Sequence, residues 1–359
     1  VVAGLLAKGD GMSIPVVDPF DVVADKAMPT LEAALDPAVV EAQFNRKLER
    51  LTGPNGTLAL HRIQVVRHKP GRRCVIQYDL SIDRPRTATQ RTTLIGKVRA
   101  GRFGKSGYRM LQKLWEAGFQ DDSSDGISVP EPLGTVGRLQ MWLQRKVPGQ
   151  LATAILPTTK GPALGARIVE AVCKLHRSSV EVTAHHSLDK ELRILHERLA
   201  LVYQFDGRLR RRIHDLLRAC DELGTTIPSL SVHPIHRDFY ADQVIVDKKR
   251  IYLLDFDLCC RGDPAVDIGN FVAHLTEQSL REHGSAELLK PVEESMEQRF
   301  LELAGPERQP AVSVYRLLTL VRHVYLSTVI PGRRDVTVPL IELCEACFAK
   351  ARWEASPVE

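Results

Sequence analysis

The 359-residue sequence lacks any apolar run long enough to cross a bilayer, which takes about 20 residues as a helix. Its opening, Val1-Val2-Ala3-Gly4-Leu5-Leu6-Ala7, is short and has no basic segment before it, so it does not read as a secretory signal. Seven cysteines form an odd set without regular spacing. Cys344 and Cys347 have no second pair to complete a zinc site, and their surroundings follow an amphipathic helix. Reduced thiols in or near the core, and hence a cytoplasmic protein, are expected. There is no internal repeat and no low-complexity tract. The Arg208, Arg210, Arg211 and Arg212 cluster has no interleaved aromatics, which speaks for a solvated helix face over a stacking surface for nucleic acid.

What is present is ordinary for a globular chain: 44% hydrophobic and 26% charged residues, with length enough for two lobes. The net charge of +5 is uneven. Residues 1–150 hold 22 basic against 15 acidic side chains, and residues 151–359 hold 27 against 29. Within residues 62–109, 13 basic residues face only Asp79 and Asp83. A field of that sign favours a polyanion, either nucleotide phosphates or nucleic acid.

The chain is organised around His236-Arg237-Asp238-Phe239-Tyr240-Ala241-Asp242-Gln243, followed by Leu254-Asp255-Phe256-Asp257. Val244-Ile245-Val246 and Ile251-Tyr252-Leu253-Leu254 read as strands, with Asp247 to Arg250 as the turn between them. The hairpin brings Asp238, before its first strand, close to Asp255, after its second. Two carboxylates and the Gln243 amide on converging loops suit a hard divalent cation and an acceptor hydroxyl. Singly, each acid reads as well as a helix cap or turn former. His236 and Asp267 are expected to brace loops rather than to react.

His-Arg-Asp, a downstream amide and Asp-Phe-Asp resemble the catalytic and metal loops of the protein-kinase-like fold. Gly262-Asp263-Pro264-Ala265-Val266-Asp267-Ile268-Gly269-Asn270-Phe271 resembles, more narrowly, the aminoglycoside phosphotransferase and choline kinase branch, which phosphorylates small molecules. The resemblance implies an α+β, two-lobed fold, with a small antiparallel-sheet N-lobe and a larger helical C-lobe. It implies Asp238 as catalytic base and Asp255 as main magnesium ligand. Gln243 would be the accessory ligand, in a place where the family has Asn, and Asp257 a supplementary one. Lys97, on a third strand, would hold ATP phosphates, and the segment from Gln144 to Lys146 would meet the adenine. Glu116 is the one acid on the following helix available to pair with Lys97. ATP and Mg²⁺ are the implied cofactors, and the partner is a hydroxylated small molecule, with nucleic acid disfavoured. A catalytically weak pseudokinase and a basic nucleic-acid-binding protein are the rival readings.

The expected division is an N-terminal helical extension over 1–57 packed on the N-lobe, a nucleotide-binding lobe over 58–145 and a helical lobe over 146–359. Residues 1–28 show no firm period and read as an extended or loosely packed lead-in. Asp36-Pro37 opens a helix carrying Val39, Val40, Phe44, Leu48 and Leu51, stopped by Gly53-Pro54. Strands are expected over 63–66, 74–80 and 92–98. The turn between the first two has only Gly71, so it is no glycine-rich phosphate loop. Arg99 to Ser106 imitates a P-loop, but Arg99 stands where its first glycine belongs. After the catalytic region, helices are expected over 265–282, 286–303, 310–329 and 338–352.

Overall fold

A computed structural model describes residues 13–101, 106–227 and 231–355. The strands in chain order are β1 (Val16–Val17), β2 (Thr57–Lys69), β3 (Arg73–Asp83), β4 (Gln90–Arg99), β5 (Ile127–Ser128), β6 (Pro132–Val136), β7 (Met141–Arg145), β8 (Gln150–Leu151), β9 (His233–Ile235), β10 (Val244–Asp247), β11 (Arg250–Leu253) and β12 (Cys260–Gly262). The helices are α1 (Thr30–Leu35), α2 (Pro37–Lys47), α3 (Glu49–Thr52), α4 (Ser106–Glu116), α5 (Ala152–Ile155), α6 (Gly161–His176), α7 (Leu188–Leu199), α8 (Val202–Phe205), α9 (Arg210–Gly224), α10 (Ala265–His283), α11 (Lys290–Ala304), α12 (Gln309–Val329) and α13 (Thr337–Ala355). The described residues up to Trp115, with Pro130–Val147, pack as one compact unit; Glu116–Val129 and the described residues from Pro148 onward pack as a second.

In the first unit a six-stranded sheet runs β1-β2-β3-β4-β7-β6, antiparallel except for the β1–β2 pair. Strand β3 buries Cys74, Ile76, Tyr78, Leu80 and Ile82, every second residue, against one core, as a strand with one covered face must. Helices α1 and α2 cover that face. Tyr78 donates its hydroxyl to the Ala34 carbonyl at 2.9 Å, and Phe44 meets the Tyr78 ring edge-on at 5.0 Å. Asp36 caps α2, its carboxylate accepting from the Ala38 and Val39 amides, with Pro37 in the first turn.

Two expectations are corrected here. The helical run after Asp36 breaks at Leu48 into α2 and α3, and α1 precedes it. The lead-in is not loose from residue 13 onward: β1 pairs with β2, and Val22 and Met28 are buried. The Asp18 carboxylate takes the Val22 amide, while Asp25 takes the Gly71 amide at 2.7 Å. Non-periodic chain held by such side-chain-to-backbone bonds leaves no repeat to read. The last bond also spends the one glycine amide of the β2–β3 turn inside its own unit.

The second unit is mainly helical, with sheets of order β5-β11-β10-β8 and β12-β9. Helix α10 packs on α12, and α6 on α11. A Cβ at Gly269 would lie 2.6 Å from the Arg316 amide nitrogen and 2.8 Å from the Tyr315 carbonyl carbon, so the α10–α12 backbones meet where only glycine fits. Three of the four late helices lie where expected. The fourth begins at Lys290 instead of 286. Gly284 ends α10 in the left-handed region, and Ser279 then bonds the Ser285 carbonyl and the Leu288 amide, holding 285–289 as a loop. All seven cysteines are free and six are buried. No helix among the described residues is long and apolar enough to cross a membrane.

Candidate active site

Strand pairing within the second unit sets the loops that carry the predicted acids opposite each other. β10 and β11 form a hairpin with Val244 opposite Leu253, and the Leu254 amide donates to the Gln243 carbonyl at 2.9 Å beyond it. β9 pairs with β12, Ile235 opposite Cys260. One antiparallel pair is thus nested inside another. The two loops between them, 236–243 and 254–259, start and end on paired strands and must face each other. Asp238 lies on one loop, Asp255 and Asp257 on the other, and Gln243 where the first joins the hairpin.

The loops are tied across the opening. His236 is fully buried, and its Nε2 bonds the Leu254 carbonyl at 2.7 Å, immediately before Asp255. Its ring lies 5.4 Å from that of Phe239 and 5.0 Å from that of Phe256, one from each loop. Asp267, at the start of α10 and also fully buried, takes three bonds: from His176 Nε2 and the His236 amide at 2.8 Å on Oδ2, and from the Arg237 amide at 2.7 Å on Oδ1. Asn270, one turn on, donates to the Phe239 carbonyl at 2.7 Å and accepts from Arg322. Arg322 also binds Glu191 at 2.6 Å, and Glu191 bonds His186 at 2.9 Å. Burial acts to raise the Glu191 pKa, but Arg322 and His186 outweigh it and bring it to about 2.

This brace holds strained backbone. Arg237 and Asp255 both have positive φ, 70° and 59°, which costs a branched or charged residue more than glycine. Asp255 is half-buried, with Oδ1 inside. Asp238 is half-buried as well, and its carboxylate makes no hydrogen bond or ion pair with a described residue. Gln243 is 6% exposed, its side-chain amide likewise bonded to no described residue. Asp257 is half-buried. Among the described residues no group of three or more His, Cys, Asp or Glu is arranged to hold a metal. The donors that the two loops carry are carboxylate and amide oxygens, the hard set that Mg²⁺ takes when substrate phosphates complete its shell.

Of the remaining predicted residues, Lys97, Gln144 and Lys146 lie in the first unit and Glu116 at the edge of the second. Lys97 on β4 is half-buried, its Nζ 4.7 Å over the Trp142 ring. Gln144 is buried on β7 opposite Ile95. Lys146 donates its amide to the Thr93 carbonyl at 2.9 Å and its ammonium to Gln77 at 2.9 Å. Glu116 is exposed at the end of α4. Residues 102–105 of the P-loop imitation, Lys105 among them, lie outside the described residues. Sequence reasoning missed Asn270, His176, Arg322 and Glu191. The first sits in the Asp-Ile-Gly-Asn run and was within reach; the others look like ordinary core or surface positions of their helices.

The fold is that of the protein-kinase-like enzymes. A choline/ethanolamine kinase family protein from Mesorhizobium loti superposes with a TM-score of 0.55 at 15% identity, over 89% of this chain and 93% of that one. Choline kinase from Cryptosporidium parvum Iowa II gives 0.55 at 11%, over 89% and 97%. A thermostable mutant of the aminoglycoside phosphotransferase APH(4)-Ia, in a ternary complex with ADP and hygromycin B, gives 0.57 at 16%, over 86% and 98%. The model of the phosphotransferase enzyme family matches residues 107–297, and the chain belongs to that family. No curated protein sequence matches it.

Proposed function

We propose that this protein transfers the γ-phosphoryl group of ATP to a hydroxyl of a small molecule of aminoglycoside, sugar or amino-alcohol type. The observation that carries the reading is the uncommitted Asp238 carboxylate, held on a braced loop facing the loop of Asp255. A structural relative with ADP and hygromycin B bound supports both the nucleotide and a hydroxylated acceptor. Phosphoryl transfer is chiefly positioning and charge neutralisation. Asp238 accepts the acceptor's hydroxyl proton and orients its oxygen. Asp255 and Gln243, with Asp257 as a supplementary ligand, would hold Mg²⁺, which supplies neutralisation of the phosphate oxygens. Lys97 holds the non-transferred phosphates. The amides of Arg145 and Lys146 already donate to Glu131 and Thr93 carbonyls, so the segment from Gln144 to Lys146 would accept from the adenine amine rather than donate to the ring. We assign nucleotide binding to residues 58–145, the acceptor and catalysis to 146–359, and a packing role to the extension 1–57. A cytoplasmic location agrees with the buried free thiols.

The experiment is ADP formation from ATP and Mg²⁺ with a panel of aminoglycosides, sugars and amino alcohols. An acceptor should raise turnover, and Asp238→Asn should lower it about 10²–10⁴-fold with nucleotide affinity retained. Nucleotide binding without Mg²⁺-dependent ATP turnover would support the pseudokinase reading, which Gln243 and Glu116 permit.

A further inference from the structure

A cavity of about 1220 Å³ lies within the second unit around the turn of the β10–β11 hairpin, at the end opposite Gln243 and Leu254. Two residues of β10, Val244 and Ile245, separate its lining from the catalytic loop, about 7 Å at ~3.3 Å per residue. Its other walls come from the 124–126 turn, β8, α5 and the start of α6. Gly149 makes the wall tight: its φ is 107°, and a Cβ there would lie 2.3 Å from the Val246 carbonyl oxygen.

The lining is divided by chemistry. Ile155, Leu164, Val246 and Ile251 form an apolar side. Lys160, Lys248 and Lys249 stand over it, all exposed, and none has an ion pair with a described residue. Arg167 also lines the cavity, but its guanidinium is spent on Glu170 at 2.5 Å and on the Asp125 carbonyl. Of the two acids in the lining, Asp125 is paired with Lys174 at 2.7 Å, which leaves Asp247 against three lysines. Helix α6 adds to the same sign, because its N-terminal end reaches the cavity with no acid in its first turn. A concave apolar wall under uncompensated positive charge concentrates anions and buries an apolar body.

We propose that this cavity is a second binding site, for a small amphipathic phosphomonoester: an aromatic or short aliphatic body on the Ile155–Leu164–Val246–Ile251 wall, with its phosphate on Lys160, Lys248 and Lys249. The site does not depend on the phosphotransferase reading, since none of its residues belongs to the catalytic loops.

The test is isothermal titration of the full chain with 1-naphthyl phosphate, with and without saturating AMP-PNP and Mg²⁺. One saturable site unaffected by the nucleotide analogue is expected. The variant Lys160→Glu/Lys248→Glu/Lys249→Glu should bind at least about tenfold more weakly, since it replaces three attractive charges by repulsive ones. Neutral 1-naphthol should lose a comparable factor. Lys248→Gln/Lys249→Gln, confined to two exposed turn residues, gives a milder variant with an unchanged melting temperature and should still weaken binding severalfold. Absence of saturable binding at millimolar probe, displacement by AMP-PNP, or wild-type affinity in both lysine variants overturns the proposal.

Discussion

Replacing Asp267 by asparagine keeps the size of the side chain and removes one acceptor from a fully buried site. Oδ1 serves the Arg237 amide, and Oδ2 serves both the His236 amide and His176. Whichever way the new amide is turned, its NH₂ faces a backbone N–H that it cannot accept from. One buried donor left unmade costs about 1–3 kcal/mol, and the surviving bonds lose the strength that the charge gave them. The expected loss is therefore about 2–4 kcal/mol for Asp267→Asn, and about 3–6 for Asp267→Ala, which strands all three donors. Equilibrium urea unfolding measures both, and hydrogen exchange should show the His236 and Arg237 amides losing protection first. Because Arg237 sits at a strained φ of 70° that these bonds maintain, turnover should fall even where the fold survives. A change in unfolding free energy below about 0.5 kcal/mol for the asparagine variant would refute the brace.

The metal assignment predicts that Gln243→Leu raises the Mg²⁺ concentration needed for turnover, that Gln243→Asn keeps measurable activity and that Asp255→Asn is worse than either; an unchanged magnesium curve for Gln243→Leu makes Gln243 a loop residue. Gly269→Ala should cost about 1–3 kcal/mol by forcing α10 away from α12, lowering the melting temperature by several degrees; an unaltered melting curve contradicts the close approach. Glu191 has a folded pKa of about 2 against an ordinary 4.5, so its stabilisation is whole above pH 4.5 and fades as pH falls toward 2. That contribution is on the order of 3 kcal/mol, and Glu191→Gln should flatten the acid limb of the stability–pH curve over this window. A parallel limb in the variant speaks against the depressed pKa.

The catalytic hairpin and most of the late helices were legible because each rests on local pattern. The apolar runs of β10 and β11 bracket a polar turn, and α10, α12 and α13 carry sustained helical periodicity. The facing of the two loops that carry Asp238 and Asp255 was legible too, since a hairpin brings its two flanks together whatever surrounds it. What the sequence could not decide is what holds those flanks. The donors and acceptors around Asp267 come from positions 176, 236 and 237, and those around Asn270 from 239 and 322. No local periodicity links such residues, and only tertiary packing sets them within hydrogen-bonding reach, that of Arg322 through the α10–α12 backbone contact that Gly269 permits. The lead-in from residue 13 escaped for the same reason. Its order comes from single carboxylates capturing distant amides, as Asp25 does with Gly71, and a lone aspartate in a sequence carries no mark of the partner it will find.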